Sequence, residues 1–348
     1  MFTLLTTEDI WGITLFISKH SQFNLTYMSR RALIIGISKY SSQQIPNLDS
    51  CYNDAQEVDR VLKHHSNTEN QEKNFTTEVI TSDNQTNTIF LKDRIEEHFK
   101  HSRSISLLYI SSHGYIENTG GYIVTTECDR GDQGISMNDI LLMVNQSPAM
   151  TKIIILDCCH SGGFGRNPLN NGLSSISEGV TIISASAKNQ YSLANSASGV
   201  FTRLLVHALE GGAANILGEI SVGHIYGYID KAMGEEGQRP MFLSNVRRYE
   251  ILRKVSSQLQ VRDLREITRL FKENPEVTFD LNETYEPTSP KAIKEHVQDF
   301  TLLQKFNRVN LVVPIDTEHM YYAAIEEKGC KLTSLGKSYW VMVKNEII

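Results

Sequence analysis

No stretch of about 18 consecutive apolar residues occurs in the sequence, so a membrane-spanning helix is not expected. An apolar patch near the start, Ile10 to Ile17, follows Glu8 and Asp9 rather than basic residues. No small-residue cleavage site comes after it, which argues against a signal peptide. Met28 stands just before the first strand-like run, and residues 1–27 are expected to be an extension produced by a mis-assigned start. Cysteine is scarce: five in 348 residues, two of them adjacent. That is no disulfide framework, and it points to a reducing, cytoplasmic compartment. Basic charge is not in excess either, because 34 Lys and Arg face 40 Asp and Glu for a net charge of −6. No global field therefore draws the chain to nucleic acid or an anionic membrane. No internal repeat is present.

What the chain does have is a normal core composition, 40% hydrophobic, and length for two domains. Residues 32–37, 76–81, 105–111, 153–156, 180–184 and 241–246 read as strands. Helices are expected at 53–64, 88–101, 136–145, 200–210 and 222–233, with Asn53 or Asp54 capping the first. Ile89, Leu91, Ile95 and Phe99 should face inward on the second. Ser136, with Asp139 three residues on, should open the third. A hairpin is expected around Gly120 and Gly121, and 164–179 reads as an exposed loop. Strands alternating with helices imply an α/β fold, a mostly parallel sheet covered on both faces.

Two of these strand patterns end in reactive groups. Leu107 to Ile110 runs into Ser111-Ser112-His113-Gly114, and Ile153 to Leu156 runs into Asp157-Cys158-Cys159-His160-Ser161-Gly162. Strand ends in such a sheet are where ligand crevices form. A thiol and an imidazole brought together there make a nucleophile, Cys159, and its base, His113. Cys158 alternates to the other side of its strand and reads as a packing residue. Cys158, Cys159 and His160 are too closely spaced for a structural zinc site, so no metal is assigned.

These motifs resemble those of the caspase-like peptidases of the metacaspase branch. Asp157 to Gly162 fits the nucleophile motif Asp-x-Cys-His-Ser-Gly, and Ser111 to Gly114 fits the base motif Ser-x-His-Gly. Arg31 to Tyr40, Leu48 to Ala55, Val180 to Ala187 and Gly199 to Thr202 follow the family in the right order. The separation of His113 from Cys159 is close to the roughly 50 residues typical of caspases. The resemblance covers roughly residues 30 to 246. It implies a caspase–haemoglobinase-like six-stranded sheet and a cysteine endopeptidase domain over 28–248. Its large-subunit part would be 28–165, its loop 166–179 and its small-subunit part 180–248.

The resemblance also implies an oxyanion hole from the backbone amides of Gly114 and Cys159. It implies that His113 is oriented largely by backbone, so no third catalytic residue is assigned. Asp54, Ser111 and Asp157 match positions lining the pocket for the residue before the cut. Two carboxylates there favour Arg, then Lys, in a protein or peptide substrate. Metacaspases often need calcium, but the acidic stretch after the nucleophile is missing. Asp129, Asp132 and Asp139 are candidate remnants, and no calcium dependence or other cofactor is expected. Arg166, in the loop after the nucleophile, is a candidate self-cleavage site.

Beyond residue 249 the chain changes character. Arg253, Lys254, Arg262, Arg265, Arg269 and Lys272 suggest a basic helix, and Glu273 to Pro290 a polar loop. Leu332 to Trp340 looks like the close of a winged-helix module. This mainly helical domain, 249–348, is expected to bind a sensor or regulatory protein. Nucleic acid is the less favoured partner, because no dense recognition cluster is present. The resemblance implies more: in bacterial caspase-like proteins such appendages commonly connect the protease to a sensor, sometimes in phage defence or programmed death. The alternative function is a binding or scaffold protein whose C-terminal module engages DNA or a partner complex.

Overall fold

The computed structural model describes residues 29–66, 72–117, 120–130, 133–158, 176–185, 198–233, 240–272 and 274–348. The chain divides into two compact units. The first comprises the described part of Met1–Ala214 together with Ile220–Val255, and the second comprises Asn215–Glu219 and Ser256–Ile348. The division falls after Val255, so the strand Ile251–Lys254 belongs with the first unit.

The first unit opens with β1 (Arg30–Gly36), α1 (Ser50–Lys63), β2 (Thr76–Ile80), α2 (Thr88–Phe99) and β3 (Ile105–Ser111). A small sheet follows, from β4 (Gly114–Glu117), β5 (Gly120–Ile123) and β6 (Ile135–Ser136). Next come α3 (Met137–Gln146), β7 (Thr151–Asp157), β8 (Val180–Ser184), α4 (Ser198–His207), β9 (Glu219–Ser221), α5 (Val222–Met233), β10 (Met241–Asn245) and β11 (Ile251–Lys254). Six of the strands form one sheet in the order β10-β8-β7-β3-β1-β2. All neighbours are parallel except β10, which runs against β8.

The apolar runs explain this. Every residue of β3 is buried, as a strand covered on both faces requires. Alternation splits the side chains between two cores. Ala32, Ile34, Leu107, Tyr109, Ile153 and Ile155 pack with α1, α4 and α5 residues such as Val58, Phe201 and Ile225. Leu33, Ile35, Leu108, Ile110, Ile154 and Leu156 pack with α2 and α3 residues such as Ile95 and Ile140. At Gly36 any Cβ would lie 2.3 Å from the Cys51 carbonyl oxygen, so glycine lets the start of α1 sit against the end of β1.

Three local expectations are corrected. α1 begins at Ser50, not near Asn53, so Asp54 lies inside the helix and does not cap it. Ile89 is 76% exposed rather than inward. Ser136 does cap α3, accepting from the Asn138 amide, but Asp139 pairs with Lys92 at 2.7 Å instead of reaching back to the cap.

The second unit holds α6 (Val261–Arg265), α7 (Ile267–Leu270), β12 (Thr278–Asp280), α8 (Lys294–Arg308), β13 (Val312–Pro314), α9 (Met320–Ile325), β14 (Gly329–Leu332) and α10 (Ser334–Lys344). Its strands form an antiparallel sheet in the order β12-β14-β13, and β13 reaches β14 through α9 rather than a tight hairpin. Its core joins Leu264, Phe271, Phe300, Phe306 and Trp340, with the indole N–H of Trp340 donating to the Phe271 carbonyl at 2.7 Å. The expected basic helix does not form. Arg253 is buried in β11, donating to the carbonyls of His64 and Leu209, and Arg269 is paired with Glu266 and Asp299. The run is divided among three elements: Arg253 and Lys254 lie in β11, Arg262 and Arg265 on α6, and Arg269 on α7. Among the described residues no helix is long and apolar enough to cross a membrane.

Candidate active site

Parallel pairing brings the C-terminal ends of β1, β3 and β7 level. Gly36 stands opposite Ser111, and Ser111 opposite Asp157. The segments that leave these ends carry His113, two residues past Ser111, and Cys159, two past Asp157. Cys159 lies outside the described residues, as do Asp132 and Arg166. Cys158 is buried in the core that holds Ile154 and Leu156, the face opposite Asp157. The other described cysteines, Cys51, Cys128 and Cys330, are also buried and free. Burial pushes the Cys51 and Cys330 thiols up to about 12, which removes them as nucleophiles near neutral pH.

His113 is held from two sides. Its backbone N–H donates to the Tyr40 hydroxyl at 2.9 Å, and that hydroxyl donates to the Ile37 carbonyl at 3.1 Å. The Tyr40 ring lies 5.0 Å from the imidazole, centre to centre. The imidazole Nε2 is 2.8 Å from the Pro46 carbonyl oxygen. A carbonyl only accepts, so the proton of the neutral ring is on Nε2 and Nδ1 keeps its lone pair. Burial lowers the imidazole pKa below its ordinary value, while the Pro46 contact pulls the other way. The result is a neutral ring with one nitrogen able to take a proton. Neither partner is marked in the sequence. Tyr40 only closes the Arg31 to Tyr40 motif, and a backbone carbonyl has no side-chain signature.

Gly114 starts β4. The Val124 amide donates to the His113 carbonyl at 3.0 Å, which makes His113 and Val124 a hydrogen-bonded pair. The next pair in the antiparallel register, Gly114 and Ile123, is then of the non-bonded kind, with its amides turned away from the partner strand. The Gly114 N–H is thus directed away from β5, and with no Cβ beside it a substrate oxygen can come close.

An acidic cluster lies at the C-terminal ends of β3 and β7. Asp54, half-buried on α1, accepts from the Ser111 hydroxyl at 3.3 Å. Asp157 is fully buried and accepts at one oxygen, Oδ2, from the Thr202 hydroxyl at 2.6 Å. Thr202 is in turn 2.5 Å from the Tyr109 hydroxyl. Burial raises the pKa of both carboxyls, that of Asp157 well above the usual range, with the Asp54 charge adding to the shift at Asp157. The structure therefore brings Asp54, Ser111 and Asp157 to one place. It adds Thr202 and Tyr109, which the sequence marks only as parts of motifs.

Among the described residues no three His, Cys, Asp or Glu side chains are grouped to hold a metal. Asp139 is committed to Lys92.

A family model described as the caspase domain matches residues 29–252. Among solved structures, caspase-1 from Spodoptera frugiperda is similar with a TM-score of 0.48 and 12% identity, over 67% of this chain and 93% of that one. The structure of pro-sf-caspase-1 gives a TM-score of 0.46 and 13% identity, over 66% of this chain and 96% of that one. Comparison with curated proteins finds no match.

Proposed function

Given that this chain belongs to the caspase family and is a cysteine-type endopeptidase, we propose that Cys159 and His113 form its catalytic dyad and that it cuts after Arg, then Lys. The observation that carries the reading is the imidazole whose Nε2 is tied to the Pro46 carbonyl, leaving Nδ1 as the base. That nitrogen takes the Cys159 proton as the thiolate attacks the scissile carbonyl. The developing oxyanion is received by the amides of Gly114 and Cys159. The same imidazolium then protonates the leaving amine, and water releases the acyl group from sulfur.

The preference for a basic side chain rests on Asp54 and Asp157, two carboxyls at adjoining strand and helix positions with no described cation paired to either. A guanidinium can bridge two carboxylates with directed hydrogen bonds, whereas an ammonium meets them as a point charge. No calcium is needed in this reading. The second unit, with its own core, acts as a regulatory module that takes a protein partner. The free buried cysteines suit a cytoplasmic protein. A role as a regulated effector of bacterial defence or cell death follows from the family resemblance of the motifs.

The test is covalent labelling. A peptidyl chloromethyl ketone ending in Arg should alkylate Cys159, identified by peptide mass mapping, and its Asp counterpart should not. Labelling at another cysteine, or preference for the Asp reagent, overturns the assignment.

A further inference from the structure

Asp157 is satisfied on one side only. Its Oδ2 accepts from Thr202, while Oδ1 is buried without a hydrogen-bond partner among the described residues. Buried polar atoms are ordinarily paired, and one left unpaired costs about 1–3 kcal/mol. A purely structural aspartate has no reason to keep such an atom. A carboxyl group that meets a cationic ligand on binding does.

Thr202 decides which oxygen waits. It is in α4, downstream of β8, so a segment remote from Asp157 in sequence supplies the contact. A threonine inside a helix ordinarily turns its hydroxyl back to a carbonyl of its own preceding turn. Here the hydroxyl donates across to Asp157 instead. Having donated its one proton, it can only accept from Tyr109, so the chain runs Tyr109 to Thr202 to Asp157. All three side chains are buried, at 0%, 2% and 0% exposure, which fixes their rotamers. Thr202 also lines a cleft of about 340 Å³ between α1 and α4, with Asp54, Glu57, Arg60, Arg203 and Glu210, in which Arg60 pairs with Glu57 and Glu210.

We propose that Thr202, backed by Tyr109, is a specificity-determining positioning residue: it holds Asp157 by one oxygen so that the other receives the basic side chain of the substrate. This rests on the reading of Asp157 as the acceptor of that side chain. Thr202 touches no reacting atom and acts through Asp157. Its loss therefore weakens binding of the basic group in ground state and transition state alike, which raises KM and leaves kcat.

The experiment uses the full chain and fluorogenic peptides ending in Arg or Asp. Wild type is measured first. If it does not prefer Arg, the basic-specificity reading itself fails, and the proposal with it. If it does, Thr202→Val, which keeps the shape and removes the hydroxyl, should raise KM for the Arg peptide roughly tenfold or more with kcat within about threefold. Thr202→Ser should restore KM to within about threefold of wild type. Tyr109→Phe should raise KM by a smaller factor, and it carries the test if the valine variant does not fold. An unchanged KM in both Thr202→Val and Tyr109→Phe, or a fall in kcat that serine does not rescue, overturns the role while leaving the Arg preference intact.

Discussion

The Pro46 carbonyl oxygen accepts from Nε2 of His113 at 2.8 Å, across a loop that starts at the end of β1. No carboxylate is needed to set the imidazole tautomer, because a backbone carbonyl does so. The loop is itself pinned: the Tyr40 amide donates to Asn47 Oδ1 at 2.9 Å, and the Tyr40 hydroxyl takes the His113 amide.

Tyr40→Phe tests that support. The ring contact with the imidazole is kept and the hydroxyl is lost. We expect kcat to fall about tenfold, with KM within about twofold, since one hydrogen bond to a catalytic backbone contributes roughly 1–1.5 kcal/mol. Steady-state kinetics on an Arg peptide checks it.

The pH dependence of kcat follows from the lowered pKa of His113. A base with a depressed pKa is still unprotonated below the ordinary value of about 6.5. The acid limb of kcat should therefore lie below pH 6.5. A limb at or above pH 7 contradicts the base assignment.

Asp157 predicts a split between stability and activity. Its pKa is raised in the folded state. The folded chain therefore binds this proton more tightly than the unfolded chain does. The associated stability is full below the unfolded value of about 3.9 and is lost as pH rises toward the folded value. Asp157→Asn should be more stabilising at pH 7.5 than near pH 4, while lowering kcat/KM on Arg peptides about tenfold or more. Thermal melts at the two pH values, beside a kinetic assay, read both effects.

Calcium should be dispensable. Dialysis against EGTA is expected to change kcat/KM on an Arg peptide by less than about twofold, and added calcium should not restore more. The measurement is the same assay with and without chelator. Asp139, one of the acids considered for such a role, is held by Lys92 at 2.7 Å.

Self-processing at Arg166 is the last expectation. Active protein should be nicked after Arg166, and Cys159→Ala should stay intact under the same storage. Intact-mass spectrometry reads the fragments, and an identical nick in the alanine variant excludes self-cleavage.

Much of the fold was legible because its signals are dense. The continuous apolar runs at 107–110 and 153–156 sit inside strands buried on both faces, and Val222 to Met233 carries an amphipathic face along its length. Reading fails where a pattern has two solutions. Asp54 resembles a cap, but the close approach at Gly36 lets the helix begin at Ser50. Ile89 has helical spacing yet falls in the first turn, at the edge of the buried face. Arg253 has the right spacing for a basic helix but sits in a strand. At the candidate site, His113, Gly114, Asp54, Ser111 and Asp157 were legible from motifs. Tyr40, Pro46, Tyr109 and Thr202 were not. Their contributions are a backbone carbonyl or hydroxyls whose partners lie far away in sequence.

The most direct measurement is hydrolysis of matched fluorogenic peptides ending in Arg or Asp by wild type and Cys159→Ala. Wild type should cleave the Arg peptide at least a hundredfold faster than the Asp peptide, and the alanine variant should cleave neither. Comparable turnover by the alanine variant, or faster cleavage after Asp by wild type, contradicts the account.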